Sequence, residues 1–221
     1  HGFSTLRLGA MERRRGGSPD VRTPARLALL EALGLAGRAG ELTTLGAVHG
    51  TDVVAVDGRR GSIPRVDGLI TDQPGVPLLA TFGDCVPLLL YDPRQHAIAL
   101  CHAGWRGTAG QMAARGVAAL RRHYGTDARD LVCGIGPCIC GSCYEVGPEV
   151  AARFDGAASR PGPGDRTLLD VGEVNRRQLV AAGVDPERIH RHPACTREDP
   201  ELASHRRDHD GRRFAAVVCL T

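Results

Sequence analysis

Lysine is absent from this chain of 221 residues, and all 28 of its basic residues are arginine. Arginine and alanine codons are rich in G and C, and the chain is heavy in both residues, so genome composition explains the arginine total. Guanidinium groups nevertheless suit the geometry of phosphate and carboxylate, so single arginines remain candidates for anion binding. The formal net charge is only +3.

Aromatic residues are also scarce, at 4% of the chain. No concentrated basic stripe with interleaved aromatics is present, which argues against nucleic acid as a partner. No run approaches the roughly 20 apolar residues of a membrane span, and no signal-peptide pattern is visible. The eight cysteines are too sparse for a disulfide scaffold. We therefore expect a cytoplasmic protein with reduced thiols and no membrane partner.

The remaining composition, 42% hydrophobic and 24% charged, is that of an ordinary globular protein. Its β segments are apolar on both faces and alternate with helical segments. This pattern predicts an α+β fold with a mixed central β-sheet or sandwich flanked by helices. No linker or repeat interrupts it, so we expect one domain over residues 1–221. Asp170 and Glu173 form a capping box that predicts a helix from there to about Ala182.

Two apolar segments, 76–91 and 96–101, flank an Asp-Pro turn and predict a hairpin. A turn centred just after Pro93 would place Cys85 directly opposite His102. Directly opposed residues have Cβ atoms about 4.5–5.5 Å apart. A thiol and an imidazole at that separation can share a metal or form an ion pair. The alternative is a buried thiol beside a hydrogen-bonded core histidine.

A third candidate ligand is His49, which stands at a His-Gly step in an apolar segment. One cysteine with two histidines matches a catalytic zinc site whose fourth position is open. Two other chemistries stay open: copper at the same ligands, and a metal-free cysteine hydrolase with Cys85 as nucleophile and His102 as base.

A second group of thiols comprises Cys133, Cys138, Cys140 and Cys143. Its spacing matches no zinc motif and contains no duplicated C-x₂-C pair. We therefore interpret these residues as plain thiols. A structural metal or a redox pair is the alternative.

Several short segments occur in an order similar to that of one known family. In chain order they are His49-Gly50, Asp67-Gly68, Gly83-Asp84-Cys85-Val86-Pro87, His102-Ala103-Gly104-Trp105-Arg106-Gly107, Ile135-Gly136-Pro137-Cys138-Ile139, Cys143-Tyr144-Glu145-Val146 and Ser204-His205-Arg206-Arg207-Asp208. Together they resemble the laccase-domain family, also labelled multicopper polyphenol oxidase or peptidoglycan editing factor. The resemblance covers nearly the whole chain.

The resemblance implies a zinc-dependent purine nucleoside enzyme. Its expected reactions are phosphorolysis of adenosine, inosine, guanosine and methylthioadenosine, and deamination of adenosine. The implied metal ligands are His49, Cys85 and His102. The arginines expected to bind substrate or phosphate are Arg26, Arg106 and Arg207. The carboxylates expected to transfer protons in deamination are Asp84 and Glu145, with structural hydrogen bonding as the alternative for each. The oligomeric state, monomer or dimer, stays open.

The family label also implies copper oxidase chemistry. A multicopper site needs many histidines, whereas the nine here include one His-x-His pair, His190 and His192. We therefore expect zinc, with copper at the same three ligands and weak oxidation as the alternative.

Overall fold

A computed structural model describes residues 1–9, 11, 22–156 and 158–221, which form a fold of helices and β-strands. The strands are β1 (Gly2–Phe3), β2 (Thr43–Gly46), β3 (Val53–Ala55), β4 (Gly61–Pro64), β5 (Gly68–Thr71), β6 (Leu78–Phe82), β7 (Val86–Asp92), β8 (Ala97–Ala103), β9 (Val132–Ile135), β10 (Glu145–Val146), β11 (Ser159–Pro161), β12 (Thr167–Leu169), β13 (Ile189–Arg191) and β14 (Phe214–Val218). The α-helices are α1 (Pro24–Ala32), α2 (Trp105–Ala109), α3 (Met112–Tyr124), α4 (Pro148–Ala151), α5 (Val171–Ala181) and α6 (His205–Asp208). Short 3₁₀ helices lie at Leu6–Leu8, Ala36–Glu41, Ala128–Asp130 and Pro186–Arg188.

Within the described residues these strands form two large sheets and one small sheet. The first sheet has the order β1-β14-β6-β2-β4, and the second has the order β13-β9-β7-β8-β5-β3. Both contain parallel and antiparallel pairs. The small sheet has the order β10-β12-β11. The predicted α+β fold with mixed sheets flanked by helices is confirmed.

The two large sheets pack face to face, and helices cover their outer faces. In β7, Leu89 packs into the space between the sheets, whereas Leu88 and Leu90 pack with the residues of α3 and α5. In β6, Leu79 points the other way, toward the leucines of α1. Successive side chains of a strand alternate between its two faces. Because both faces of these strands are buried, the strands are continuously apolar in sequence.

The predicted hairpin is present, but its turn is wider than expected. Strands β7 and β8 pair with Asp92 opposite Ala97, so the loop between them has four residues. The Asp92 carboxylate accepts two backbone N–H groups of that loop, at 2.8 and 3.1 Å, which stabilises the wider turn. The prediction that Cys85 lies directly opposite His102 is therefore wrong, since Pro87 does. The register differs by two residues, and a shift of two leaves Cys85 on the same face.

Segment 76–91 is two strands rather than one. The chain leaves the first sheet at Phe82, the end of β6, and enters the second sheet at Val86, the start of β7. The three residues between them, 83–85, cross from one sheet to the other. Asp84 adopts a positive φ of 90° at the crossing. This change of sheet puts Cys85 at one end of the space between the sheets.

The helix predicted from its capping box is confirmed as α5. The Asp170 side chain accepts the backbone N–H of Glu173 at 2.9 Å, as an N-cap residue does. None of the helices in the described part of the chain combines the length and the apolarity that crossing a membrane requires.

Candidate metal centre

The structure brings together the three predicted ligands, His49, Cys85 and His102. Each offers one ligand atom, and these atoms lie within 4.8 Å of one another. His49 belongs to the loop after β2, Cys85 to the crossing between the sheets, and His102 to β8. His102 is buried, Cys85 is half-buried and His49 is exposed. The centre therefore lies at the end of the sandwich, with one side open to solvent.

Asp67 forms hydrogen bonds that hold two of the three ligand residues in place. Its Oδ1 lies 2.9 Å from Nδ1 of His102. The same carboxylate accepts the backbone N–H groups of Val48, His49 and Gly50 at 3.2, 3.0 and 2.7 Å. A carboxylate that accepts the Nδ1 proton of a histidine leaves Nε2 unprotonated for a metal. Asp67 thus orients one ligand ring and holds the loop that carries another ligand.

Close packing around the ligands explains two backbone features. His49 adopts a positive φ of 63°, which turns the loop so that its three N–H groups converge on Asp67. Gly104 lies against the ligands, and a Cβ at this position would stand 2.9 Å from Cδ2 of His49 and 3.0 Å from Sγ of Cys85. Only glycine allows the backbone to approach the centre this closely.

The buried ionisable groups of the centre shift one another's pKa values. Burial would raise the pKa of Cys85, but the charge of His102 and hydrogen bonds from both histidines lower this pKa to about 6. Burial would lower the pKa of His102, but the Cys85 thiolate and the Asp67 carboxylate raise it to about 9. Burial also opposes ionisation of Asp67, whose pKa is nevertheless lowered by hydrogen bonds from His102, Gly50 and Val48. These opposite shifts favour a thiolate beside an imidazolium in the metal-free chain.

This donor set fits a single metal ion. A thiolate and two imidazoles are zinc ligands, and three protein ligands leave the fourth position available, as in catalytic zinc sites. Among the described residues, the groups arranged to bind a metal are this one and a cluster of Cys140, Cys143, Cys195 and Glu198. Together the two groups contain two histidines, which is too few for the imidazole-rich sites of a multicopper oxidase.

A cleft of about 840 Å³ opens over the metal centre. Its volume is within the range of small-molecule sites, roughly 300–1,000 Å³. The arginines among its lining residues are Arg26, Arg106, Arg206 and Arg213. Trp105 and Tyr144 also line the cleft, and each carries a guanidinium over its ring, Arg106 at 4.4 Å and Arg206 at 5.0 Å. The cleft thus combines cationic groups and aromatic faces next to the metal ligands.

The predicted arginines take different places. Arg26 and Arg106 line the cleft, the former buried with Nε donating to the carbonyl of Met11 at 3.0 Å. Arg207 is absent from the described lining, and its guanidinium instead donates to Asp208 and to the backbone carbonyls of Thr196, Arg197, Asp199 and Leu202. This placement does not favour Arg207 as a phosphate ligand, because its donors are used within the fold. Its neighbour Arg206 occupies the cleft.

The two carboxylates expected to transfer protons are also engaged elsewhere. Asp84 accepts hydrogen bonds from Oγ1 of Thr196 and Oγ of Ser204 at 2.6 and 2.7 Å, and from the backbone N–H of Arg206 at 2.6 Å. Its carboxylate fastens the segment that carries Arg206 to the crossing beside Cys85. Glu145 is not among the described lining residues, and its side chain lies 4.0 Å from Arg166. The structural alternative is favoured for both.

Three residues of this region escaped the sequence reasoning. Asp67 was visible only as part of an Asp-Gly block, and its link to His102 spans 35 residues. Arg206 and Arg207 are adjacent in sequence, so no periodicity separates them. Tyr144 precedes Glu145, and nothing in this local sequence distinguishes a cleft residue from a core residue. A histidine needs a partner for its second ring nitrogen, and that requirement was the one signal that pointed to a residue such as Asp67.

Comparison with known proteins identifies the family of the chain. The family model described as multi-copper polyphenol oxidoreductase laccase matches residues 10–221. A purine nucleoside phosphorylase of Streptomyces coelicolor is 35% identical over 225 residues, covering 99% of this chain and 89% of the relative. The purine nucleoside phosphorylase YlmD of Geobacillus stearothermophilus is 38% identical over 189 residues, covering 77% and 69%.

A solved structure shows the same fold. The hypothetical protein YfiH of Bacillus licheniformis matches with a TM-score of 0.91 and 27% identity, covering 100% of this chain and 92% of that protein. The resemblance read from the sequence blocks is thereby confirmed. The chain belongs to the laccase-domain family, the family of the multi-copper polyphenol oxidoreductase laccase model.

Proposed function

We propose that the chain is a zinc-dependent purine nucleoside phosphorylase acting on adenosine, inosine, guanosine and methylthioadenosine, with adenosine deamination as a second reaction. The observation that carries this proposal is a single cleft that joins a Cys-His-His centre to several arginine side chains. The names of the relatives support the phosphorylase class. The proposed catalytic and metal-binding residues are His49, Cys85 and His102.

The metal ligands are prepared by the residues around them. Asp67 holds the Nδ1 proton of His102, which directs Nε2 of that ring away from the carboxylate. The lowered pKa of Cys85, about 6, makes its sulfur available as a thiolate ligand at neutral pH. When bound, zinc would supply Lewis-acid chemistry at the floor of the cleft.

Phosphorolysis needs phosphate beside the ribose. A phosphate oxygen forms a bond to C1′ while the bond from C1′ to the purine nitrogen breaks, and the electron pair leaves with the purine. The products are ribose 1-phosphate and the free base. Arg106 and Arg206 line the cleft and carry guanidinium groups, which bind phosphate through charge-assisted hydrogen bonds. Arg26 contributes a buried positive charge to the same wall.

The aromatic residues suit a purine. Trp105 and Tyr144 present the two aromatic side chains among the described lining residues, and purines bind to such faces by stacking. Burial raises the pKa of Tyr144 to about 12, so its phenol keeps a proton at neutral pH. A protonated phenol can donate a hydrogen bond to a ring nitrogen or to a ribose hydroxyl.

Fewer residues of the cleft support deamination than support phosphorolysis. Water replaces the amino group at C6 of adenosine, which yields inosine and ammonia, and a proton must be delivered to the leaving nitrogen. Among the described lining residues Asp84 is the carboxylate, and three donors already occupy it. We therefore rank phosphorolysis first and treat deamination as a separate measurement.

The test uses purified protein with zinc, adenosine and phosphate. Equal amounts of adenine and ribose 1-phosphate are expected, with no adenine formed when phosphate is omitted. Inosine and ammonia without phosphate would report deamination. His102→Ala is expected to lower phosphorolysis by on the order of 100-fold or more, whereas His123→Ala, on the exposed face of α3, should leave it unchanged. Unchanged turnover in His102→Ala would refute the site.

Oxidation of phenols by copper is the second candidate, and the description of the matching family model favours it. One cysteine and two histidines also suit a single copper ion. Copper-loaded protein should then consume oxygen with a phenolic substrate faster than zinc-loaded protein splits adenosine. The opposite ratio selects the phosphorylase.

We further infer a cytoplasmic location. No disulfide joins any of the eight cysteines, and reduced cysteines are typical of the cytosol. Fractionation of cells that produce the protein would show it with cytosolic markers, and recovery in an exported fraction would contradict this inference.

A further inference from the structure

A second cluster of metal-binding side chains lies outside the described lining of the cleft. Cys140, Cys143, Cys195 and Glu198 each offer one ligand atom, and these four atoms lie within 4.8 Å of one another. Cys143 and Cys195 are buried, Cys140 is half-buried and Glu198 is exposed. Two of the four come from the segment that the sequence spacing favoured as plain thiols.

The four ligands belong to two turns that share one backbone hydrogen-bond pattern. In the first, the backbone N–H groups of Cys143 and Tyr144 both donate to the carbonyl of Cys140 at 3.0 Å. In the second, the N–H groups of Glu198 and Asp199 donate to the carbonyl of Cys195 at 3.2 and 2.9 Å. Each turn presents ligands three residues apart, Cys-x-x-Cys in one and Cys-x-x-Glu in the other. The Cys-x-x-Cys spacing is typical of structural zinc sites, and a glutamate oxygen is also a zinc ligand.

Contacts between the turns hold the ligand atoms together without a metal. Cys138 and Cys195 form an isolated parallel bridge, and the N–H of Thr196 donates to the carbonyl of Cys138 at 3.1 Å. The N–H of Cys140 donates to Sγ of Cys195 at 3.3 Å. Sγ of Cys143 donates to Oε1 of Glu198 at 3.3 Å. Because the backbone bonds are independent of a metal, the site is preorganised.

The chemistry of the ligands selects the metal. Three sulfurs and one carboxylate oxygen make four ligands, which fills a tetrahedral site. Soft thiolates select zinc over magnesium or calcium. We propose that Cys140, Cys143, Cys195 and Glu198 form a structural zinc site, closed by four protein ligands and separate from the Cys-His-His centre.

The position of the cluster gives this site a role in the fold. Tyr144 follows Cys143 directly, and Arg206 lies on the same chain segment as Cys195 and Glu198. Arg206 Nη1 donates to the carbonyl of Glu145 at 2.6 Å, so the two segments meet again beside the cleft. A zinc ion at the cluster would join these segments and fix the wall that carries Tyr144 and Arg206. The site requires no assumption about the substrate.

Metal stoichiometry tests the proposal. Protein purified in the presence of zinc and then freed of loosely bound metal is expected to contain two zinc ions per chain. The double variant Cys140→Ser/Cys195→Ser should contain one, and the matched control Cys219→Ser, a thiol outside both clusters, should contain two. Equal zinc contents in the wild type and the double variant would overturn the proposal, whichever metal the Cys-His-His centre holds.

A second measurement does not depend on the folding of that double variant. Cys85→Ala removes the one sulfur of the Cys-His-His centre, and cobalt(II) added to this variant should give the intense thiolate-to-cobalt absorption of a site with several sulfur ligands. A weak spectrum without that absorption would refute the site. So would peptide mapping of zinc-purified protein that finds a disulfide joining two of Cys140, Cys143 and Cys195. Neither readout measures phosphorylase activity. The structural zinc site can therefore be refuted while the phosphorylase proposal stands, and the reverse.

Discussion

Asp67 and His102 lie 2.9 Å apart through Oδ1 and Nδ1, and both side chains are buried. The same carboxylate binds three backbone N–H groups of the loop that carries His49. One side chain therefore sets the position of two of the three proposed ligands. Gly50 and Gly104 let the backbone come close enough for this arrangement.

Replacing Asp67 by Asn is expected to weaken zinc binding about 10–100-fold. The amide is nearly isosteric, but it lacks the negative charge that favours the Nδ1 proton of His102. Its NH₂ group is also a donor, so it cannot accept the backbone N–H groups of the His49 loop. Competition with a chromophoric chelator measures the change. Asp52→Asn, an exposed carboxylate nearby in sequence, is the matched control and should bind zinc as the wild type does. Equal affinity in both variants would show that Asp67 has no part in metal binding.

Removing the metal is expected to expose Cys85 to alkylation. In the metal-free chain the pKa of Cys85 is about 6, so the thiolate fraction, and with it the rate, rises from pH 5 to pH 7 and then levels off. Iodoacetamide labelling followed by peptide mapping separates Cys85 from the other thiols. Zinc-loaded protein should be protected at this residue. Equal labelling of Cys85 with and without zinc would contradict its role as a ligand. Full enzymatic turnover by the metal-free protein would favour the cysteine hydrolase.

His102→Ala extends this measurement. Removing the imidazolium takes away the charge that lowers the pKa of Cys85, so the rise in the metal-free labelling rate should move to higher pH. An unshifted profile would mean that some other group activates the thiol. The direction of the shift is the same whether the native metal is zinc or copper.

Local sequence patterns selected the three residues that the structure brings together, but not the geometry that joins them. Cys85 and His102 were placed on one face by a hairpin whose register was two residues off, because the Asp92 turn holds four residues. An odd error would have put the two side chains on opposite faces. Because the error was even, Cys85 and His102 still lie close together although they are not paired directly.

Contacts between distant segments were the part that the sequence could not supply. Asp84 looked like a catalytic carboxylate beside Cys85, yet its partners Thr196 and Ser204 lie 112 and 120 residues away. The metal cluster of the second proposal was hidden for the same reason. Its Cys-x-x-Cys half is local, whereas its Cys-x-x-Glu half begins 55 residues after Cys140. Spacing rules find ligands within a turn and miss those that pair two turns.

Arg206→Ala is expected to raise the KM for phosphate about 10–100-fold, the effect of losing a charged hydrogen-bond donor worth about 1.5–3 kcal/mol. The kcat should change less, provided that Tyr144 keeps its place without the guanidinium above its ring. Initial rates at varied phosphate and saturating nucleoside measure both constants. Arg153→Ala, an exposed arginine outside the described lining, should leave both constants unchanged. A KM for phosphate equal to that of the control would remove Arg206 from the phosphate site.

Arg207→Ala is expected to act on stability instead of phosphate binding. The guanidinium is bonded to Asp208 at 2.7 and 2.8 Å and to the carbonyls of Thr196, Asp199 and Leu202 at 2.8, 2.9 and 2.7 Å. Truncation leaves these acceptors without their donor, so the free energy of unfolding should fall by about 2–4 kcal/mol. Denaturant unfolding of the zinc-loaded protein measures the loss.

The same variant separates the two arginines of the pair. Below its unfolding transition, Arg207→Ala should keep a KM for phosphate within about twofold of the wild type, because its side chain lies outside the described lining of the cleft. Wild-type stability together with a KM raised tenfold would reverse the assignment and return the phosphate to Arg207. The contrast with Arg206→Ala makes the result independent of any shared effect on the segment that carries both residues.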